Sequence, residues 1–155
     1  MHDFTPDRSP AELIDALYRA RRSGDQAARA HIQKLLDHEE PMVREEVLSL
    51  LLTKWKAGDL VPRAIAMLQT DDDEGVRAQA AIGLGALSAS GIAPTVYLRL
   101  AELARNPHVP DRVRQACAEA LTTIAGKPSL MEVNDVTPAR IDELVAVIEK
   151  SHKRC

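Results

Sequence analysis

EGVRAQAAIGLGALS, residues 74–88, carries the pattern on which the fold turns. Two other stretches lie on it without a gap: PMVREEVLSLLLTKW, residues 41–55, and DRVRQACAEALTTIA, residues 111–125. Each has a Val-Arg pair in the third and fourth places. Val43 and Val76 are 33 residues apart, and Val76 and Val113 are 37 apart. Four places on stand Val47, Ala80 and Cys117; eight places on stand Leu51, Leu84 and Leu121. Positions 0, +4 and +8 fall on one side of an α-helix. One apolar helical face recurring at such a period marks an array of stacked units.

Working outward, the segments between the copies also read as helices. DLVPRAIAMLQT (59–70) places Leu60, Ala64, Ile65 and Leu68 on one stripe, with Asp59 expected as N-cap and Pro62 in the first turn. APTVYLRLAELARN (93–106) does the same with Val96, Leu100, Leu103 and Ala104. Upstream, SPAELIDALYRARRSG (9–24) opens with Ser9, Pro10 and Glu12 in capping-box spacing and stops at Gly24; DQAARAHIQKLLDH (25–38) follows. TPARIDELVAVIEKSHK (137–153) starts on Thr137 and Pro138. The longest connection, GKPSLMEVNDV (126–136), is expected to reorient the last helix. The expected fold is all-α: a single domain over 1–155, a short right-handed α-α superhelix of about eight helices. Helix pairs are assigned to 25–57, 59–90 and 93–126, with cap helices at 9–24 and 137–151. A lone pair has too little apolar surface to be stable and must stack on its neighbours.

Composition agrees. Aromatic residues are 3 % of the 155, so the core falls to Leu, Ala, Val and Ile, of which Ala and Leu are strong helix formers. The net charge of −3 lacks the basic excess of a nucleic-acid binder. The two cysteines, Cys117 in an apolar helical pattern and Cys155 at the end, form no disulfide framework and fit a reducing compartment. MHDFTPDRSP (1–10) has neither a basic nor an apolar leader region, and no apolar run is long enough to span a membrane. The chain reads as a cytoplasmic protein without membrane association.

TDDDEGVRAQAAIGLGAL (70–87) and NPHVPDRVRQACAEAL (106–121), an acidic or polar loop followed by Val-Arg and a leucine eight places on, resemble the second helix of a HEAT repeat. The resemblance covers residues 25–126. It implies an α-solenoid and leaves function open, since HEAT-like arrays serve as scaffolds, inhibitors, transport factors and occasionally enzymes. It further implies that Arg44, Arg77 and Arg114 form a ladder with loop carboxylates of adjacent repeats, for which Asp37, Asp71 and Asp111 are the candidates. Each arginine opens a helix, a poor place for a cation unless a carboxylate answers it.

Several chemistries can be set aside. GLGALS (83–88) has the glycines of a phosphate loop but lies inside a helical pattern, where glycine serves close helix approach. His38-Glu39 is similar to the His-Glu pairs of HEAT-like di-iron hydroxylases, yet the places after each Val-Arg hold Glu45-Glu46, Ala78-Gln79 and Gln115-Ala116. His2, His31, His38, His108 and His152 are scattered, none at zinc-helix spacing, so neither metal nor cofactor is expected. Cys117 is expected to be buried and inert, and no serine sits in a nucleophile elbow. No catalytic residue is assigned. Arg19, Arg21, Arg22, Arg29 and Lys34 form a basic cluster, read as a solvated face; a nucleic-acid-binding array built on it is one alternative. A HEAT-like enzyme or chromophore lyase is the other, and the scarcity of aromatics argues against its pocket.

In HEAT-like solenoids the second helices line the concave face. The places +2, +6, +9/+10 and +13 after each valine then point outward: Glu45, Ser49, Thr53 and Lys56; Ala78, Ile82, Gly85, Ala86 and Ala89; Gln115, Glu119, Thr122 and Thr123. The small and apolar middle row makes a trough between polar rows, suited to a partner's apolar side chains. Tyr97, Arg99 and a half-exposed Trp55 are added as interface-type residues. The expected function is non-enzymatic docking of another protein, as an adaptor, a regulator or an inhibitor of immunity type.

Overall fold

A computed structural model describes residues 4–5, 7–88, 91, 93–127 and 136–153, and these contain eight α-helices and no strand. The helices are α1 (Pro10–Ser23), α2 (Arg29–Lys34), α3 (Pro41–Leu48), α4 (Val61–Thr70), α5 (Glu74–Leu87), α6 (Pro94–Arg105), α7 (Asp111–Ile124) and α8 (Pro138–His152). Helices α1, α3, α5 and α7 pack side by side as one layer. Helices α4 and α6 back onto α5 and α7, and α8 closes over α6 and α7. By its packing α1 takes the place of the second helix of a pair, beside α3, and α8 that of the first helix of a pair, beside α6. Most of the reorienting connection, residues 128–135, lies outside the described residues, as do His2, Ala89 and Cys155.

The nine aligned positions form the spine of the core. Val43, Val47 and Leu51, Val76, Ala80 and Leu84, and Val113, Cys117 and Leu121 are all at most 1 % exposed. A repeat in sequence has become one stripe of buried side chains, repeated on three neighbouring helices. The glycines of α5 set how closely these helices approach. A Cβ on Gly85 would come within 2.8 Å of Ala120 Cα and 2.9 Å of its Cβ, and one on Gly83 within 2.8 Å of Leu52 Cβ.

The caps explain where the helices start and stop. Ser9 Oγ accepts from the Glu12 N–H while the Glu12 carboxylate accepts from the Ser9 N–H at 3.0 Å, and Gly24 closes α1 at φ +69°. The Asp73 carboxylate accepts from the N–H groups of Gly75 (2.8 Å) and Val76 (3.0 Å), and Thr137 Oγ1 from that of Arg140. Three local expectations need correction. Asp59 does not cap α4; it lies in a 3-10 turn, Gly58–Leu60, and pairs with Arg29. The helix expected over 25–38 is α-helical only at 29–34, because Asp25 turns back to accept from the Ala27 N–H and holds a local turn. Beyond α3 the chain widens into a π-helical turn, Ser49–Lys54. The Trp55 N–H there reaches back to the Leu50 carbonyl and that of Ala57 to Leu51, and Lys56 closes the turn at φ +53°.

Candidate protein-docking face

The arginine that follows each aligned valine points away from the core, toward the end of the preceding helix or turn. Arg77 Nε donates to the Leu68 carbonyl (3.2 Å), Arg114 Nε to Ala104 (3.3 Å), and Arg44 Nη1 to His38 (2.8 Å) and Glu39 (3.0 Å). All three answer carbonyls that a helix or turn end leaves unpaired. A carboxylate joins from the next pair in one case. Arg44, 7 % exposed, grips Asp71 bidentately at 2.7 and 3.1 Å and adds Asp72 at 2.7 Å. Asp37 pairs with Arg63 instead, Asp111 with Arg114 of its own helix, and Arg77 makes no ion pair among the described residues. The shared function of the row is therefore carbonyl capping, with one inter-repeat ion pair at Arg44–Asp71.

On the opposite side of the layer, α3, α5 and α7 enclose a shallow groove of about 200 Å³. Its floor is small and apolar: Gly75, Ala78 and Ala116, all buried. Ile82, on the middle helix α5, lines it as well and is 37 % exposed. Its rim is polar, with Glu45 on the α3 side, Gln79 on α5, and Arg112, Gln115 and Glu119 on α7. Arg112 reaches across to Glu45, Nη2 to Oε2, at 3.9 Å. Glycine at position 75 makes this possible, since a Cβ there would run into the Glu45 carboxylate. Burial pushes the Glu45 carboxyl above its ordinary range; Arg112 opposes this, while Asp73 and Glu46 reinforce it.

Of the thirteen residues expected on this face, Glu45, Ala78, Ile82, Gln115 and Glu119 come together in the groove. Ser49 accepts a hydrogen bond from Arg21 at 2.6 Å, Thr53 and Ala86 are half-buried, Lys56 donates to the Ala86 carbonyl at 2.8 Å, and Thr123 is exposed with its hydroxyl on the Glu119 carbonyl. The trough is shorter than the sequence implied. Gly85 is sealed against Ala120, and Thr122 is buried with its hydroxyl donating to the Ala118 carbonyl, so the groove runs only from Gly75 to Ile82 on α5 and from Arg112 to Glu119 on α7. Arg112, Gln79, Gly75 and Ala116 were missed, although Arg112 and Gly75 occupy equivalent places just before the two Val-Arg pairs, a register the alignment already contained. Tyr97, expected outside, is 5 % exposed and lies against the His152 ring at a centroid distance of 5.9 Å. Trp55 is half-buried, and Arg99 pairs with Glu102.

The basic cluster at the first turn of the array is largely answered. Arg19 pairs with Asp15, Arg21 with Glu46, and Arg29 with Asp59. Cys117 is fully buried, and burial pushes its thiol up to about 12. Among the described residues no three His, Cys, Asp or Glu side chains gather as a metal site, and no helix is long and apolar enough to cross a membrane. No curated protein sequence matches the chain. The family model for HEAT repeats matches residues 30–122, from within α2 to within α7. A match over more than half of the length, on helices that stack pair upon pair, places this chain in the HEAT-repeat family.

Proposed function

We propose that the chain is a non-enzymatic protein-binding module that seats a partner in the groove between α3, α5 and α7, acting as an adaptor, a regulator or an inhibitor. HEAT repeats generally mediate contacts between proteins and are typically without catalytic activity. The observation that carries the reading is Ile82, an exposed β-branched residue beside an apolar floor with a polar rim. That arrangement is an interface core and its surround in miniature. Three packed helices fix the floor before any partner arrives, so binding needs little rearrangement.

The test is Ile82→Arg. The site is on the surface, so the variant should keep its helical circular dichroism and its melting temperature to within a few degrees. Affinity purification from the native host should recover a defined partner with the wild-type chain and lose it with the variant. An identical set of captured proteins in both would remove the groove as the docking site.

A further inference from the structure

An exposed large apolar side chain, Ile82, distinguishes the groove from a second recess among the described residues. The larger recess, about 520 Å³, lies between the turn at residues 37–39 and α4 and the turn that follows it, and carries Asp37, Glu39, Asp71 and Asp72. Its carboxylates surround two arginines, Asp37 pairing with Arg63 and both Asp71 and Asp72 with Arg44, and no large apolar side chain stands exposed in it. The groove is different. Its one cation, Arg112, stands at the end near Glu45, 61 % exposed and 3.9 Å from the carboxylate, beyond hydrogen-bonding distance. Glu119 lies seven residues further along α7, about 10 Å away along the axis, and makes no side-chain ion pair among the described residues. Glu46 is answered by Arg21 and Asp73 by the first N–H groups of α5, so neither adds an unanswered carboxylate to the groove. The groove thus offers two carboxylates, one unpaired and one loosely paired, on either side of an exposed apolar residue.

We infer that the partner presents a basic amphipathic segment, whose apolar side chain packs on Ile82 and the Ala78–Ala116 floor while a neighbouring lysine or arginine reaches Glu119. Long basic side chains suit such a place because the aliphatic stem covers the apolar floor while the head stays at the rim. An acidic segment would add like charge to Glu45 and Glu119. The raised protonation range of Glu45, set by burial and by Asp73 and Glu46, agrees with a groove short of cations. This inference rests on the docking reading above and specifies the chemistry of the occupant.

The probe is a synthetic helical peptide with leucine and arginine on one face, paired with a control in which glutamate replaces the arginines. Binding to the whole chain is followed by amide shifts in heteronuclear NMR. The arginine peptide should shift Ala78, Ile82, Ala116 and Glu119, and the glutamate peptide should not. Glu45→Gln and Glu119→Gln should each weaken binding by about fivefold, as expected for a partly exposed ion pair, and together they should remove most of its salt dependence. Equal binding of the two peptides, shifts centred on the larger recess, or no effect of the two glutamine substitutions would each overturn the inference. Partner capture separates this failure from that of docking itself. If Ile82→Arg loses the host partner while the glutamine double variant keeps it, the groove docks a segment that is not basic. If neither variant loses it, both readings fall.

Discussion

Replacing Arg44 with alanine tests the central claim about the arginine row. Arg44 is the one buried charged residue of the described chain, and its guanidinium makes five hydrogen bonds. Two go to the carbonyls of His38 and Glu39, and three to carboxylates. Asp72 is 90 % exposed and contributes little. Asp71 is different, with only 9 % of its side chain exposed, and truncating Arg44 leaves that carboxylate buried without its cation. Breaking one side of a buried pair costs about 3–5 kcal/mol, and for a chain of this length that corresponds to roughly 10–15 °C in melting temperature. The two stranded carbonyls relax toward water and add less. Thermal and urea unfolding of Arg44→Ala, Asp71→Ala and the double variant measure the coupling directly. Arg77→Ala, which strands a single carbonyl bond, should cost about 1 kcal/mol. A loss below 1 kcal/mol for Arg44→Ala, or costs that simply add in the double variant, would refute the argument that this pair ties one repeat to the next.

Gly85→Ala should destabilise the chain although alanine is the better helix former. The gain in propensity is about 1 kcal/mol, and forcing a methyl within 3 Å of the Ala120 backbone costs about 1–3 kcal/mol; a variant more stable than wild type in urea would show that α5 and α7 are not in that contact. Cys117 should resist thiol reagents at pH 8 in the folded chain and react once it is unfolded in guanidinium, because its thiol range is pushed up to about 12. Fast labelling of Cys117 itself in the native protein, located by peptide mass, would contradict its burial. Glu45→Gln should be more stable than wild type at pH 7, with the difference vanishing below about pH 4. The sign follows from a carboxyl range raised by folding: the native state favours the protonated form, so stability is lost as pH rises from the unfolded value through the folded one. A stabilisation that persists unchanged at pH 3 would assign the effect to something other than ionisation.

The order of helices, the buried stripe and most of the caps were legible along the chain because each depends on residues within a turn or two. The capping box at Ser9, the stop at Gly24 and the Thr137 cap are local hydrogen bonds between groups a few residues apart. The valine, the +4 residue and the leucine of each copy repeat one helical face, and period alone places them inside. Asp59 shows where local reading fails: its side chain fits a cap, yet Arg29, thirty residues away in sequence, takes it in an ion pair.

The groove could not be read in the same way. A register identifies which residues point away from the core of one helix, and it placed Ile82 and Glu119 correctly. It carries no information on the distance to the next helix, which the contact of Gly85 with Ala120 decides by closing the far half of the expected trough. Nor does it say which acid an arginine meets: Arg44 finds Asp71 of the next pair, Arg114 finds Asp111 one turn before it, and Arg77 finds a carbonyl and no acid among the described residues. By itself the sequence determined the helices, their stacking and the buried stripe, because these follow from periodicity and short-range bonds. Only the tertiary structure decided the depth of the groove and the pairing of charges, because both depend on distances between elements far apart along the chain.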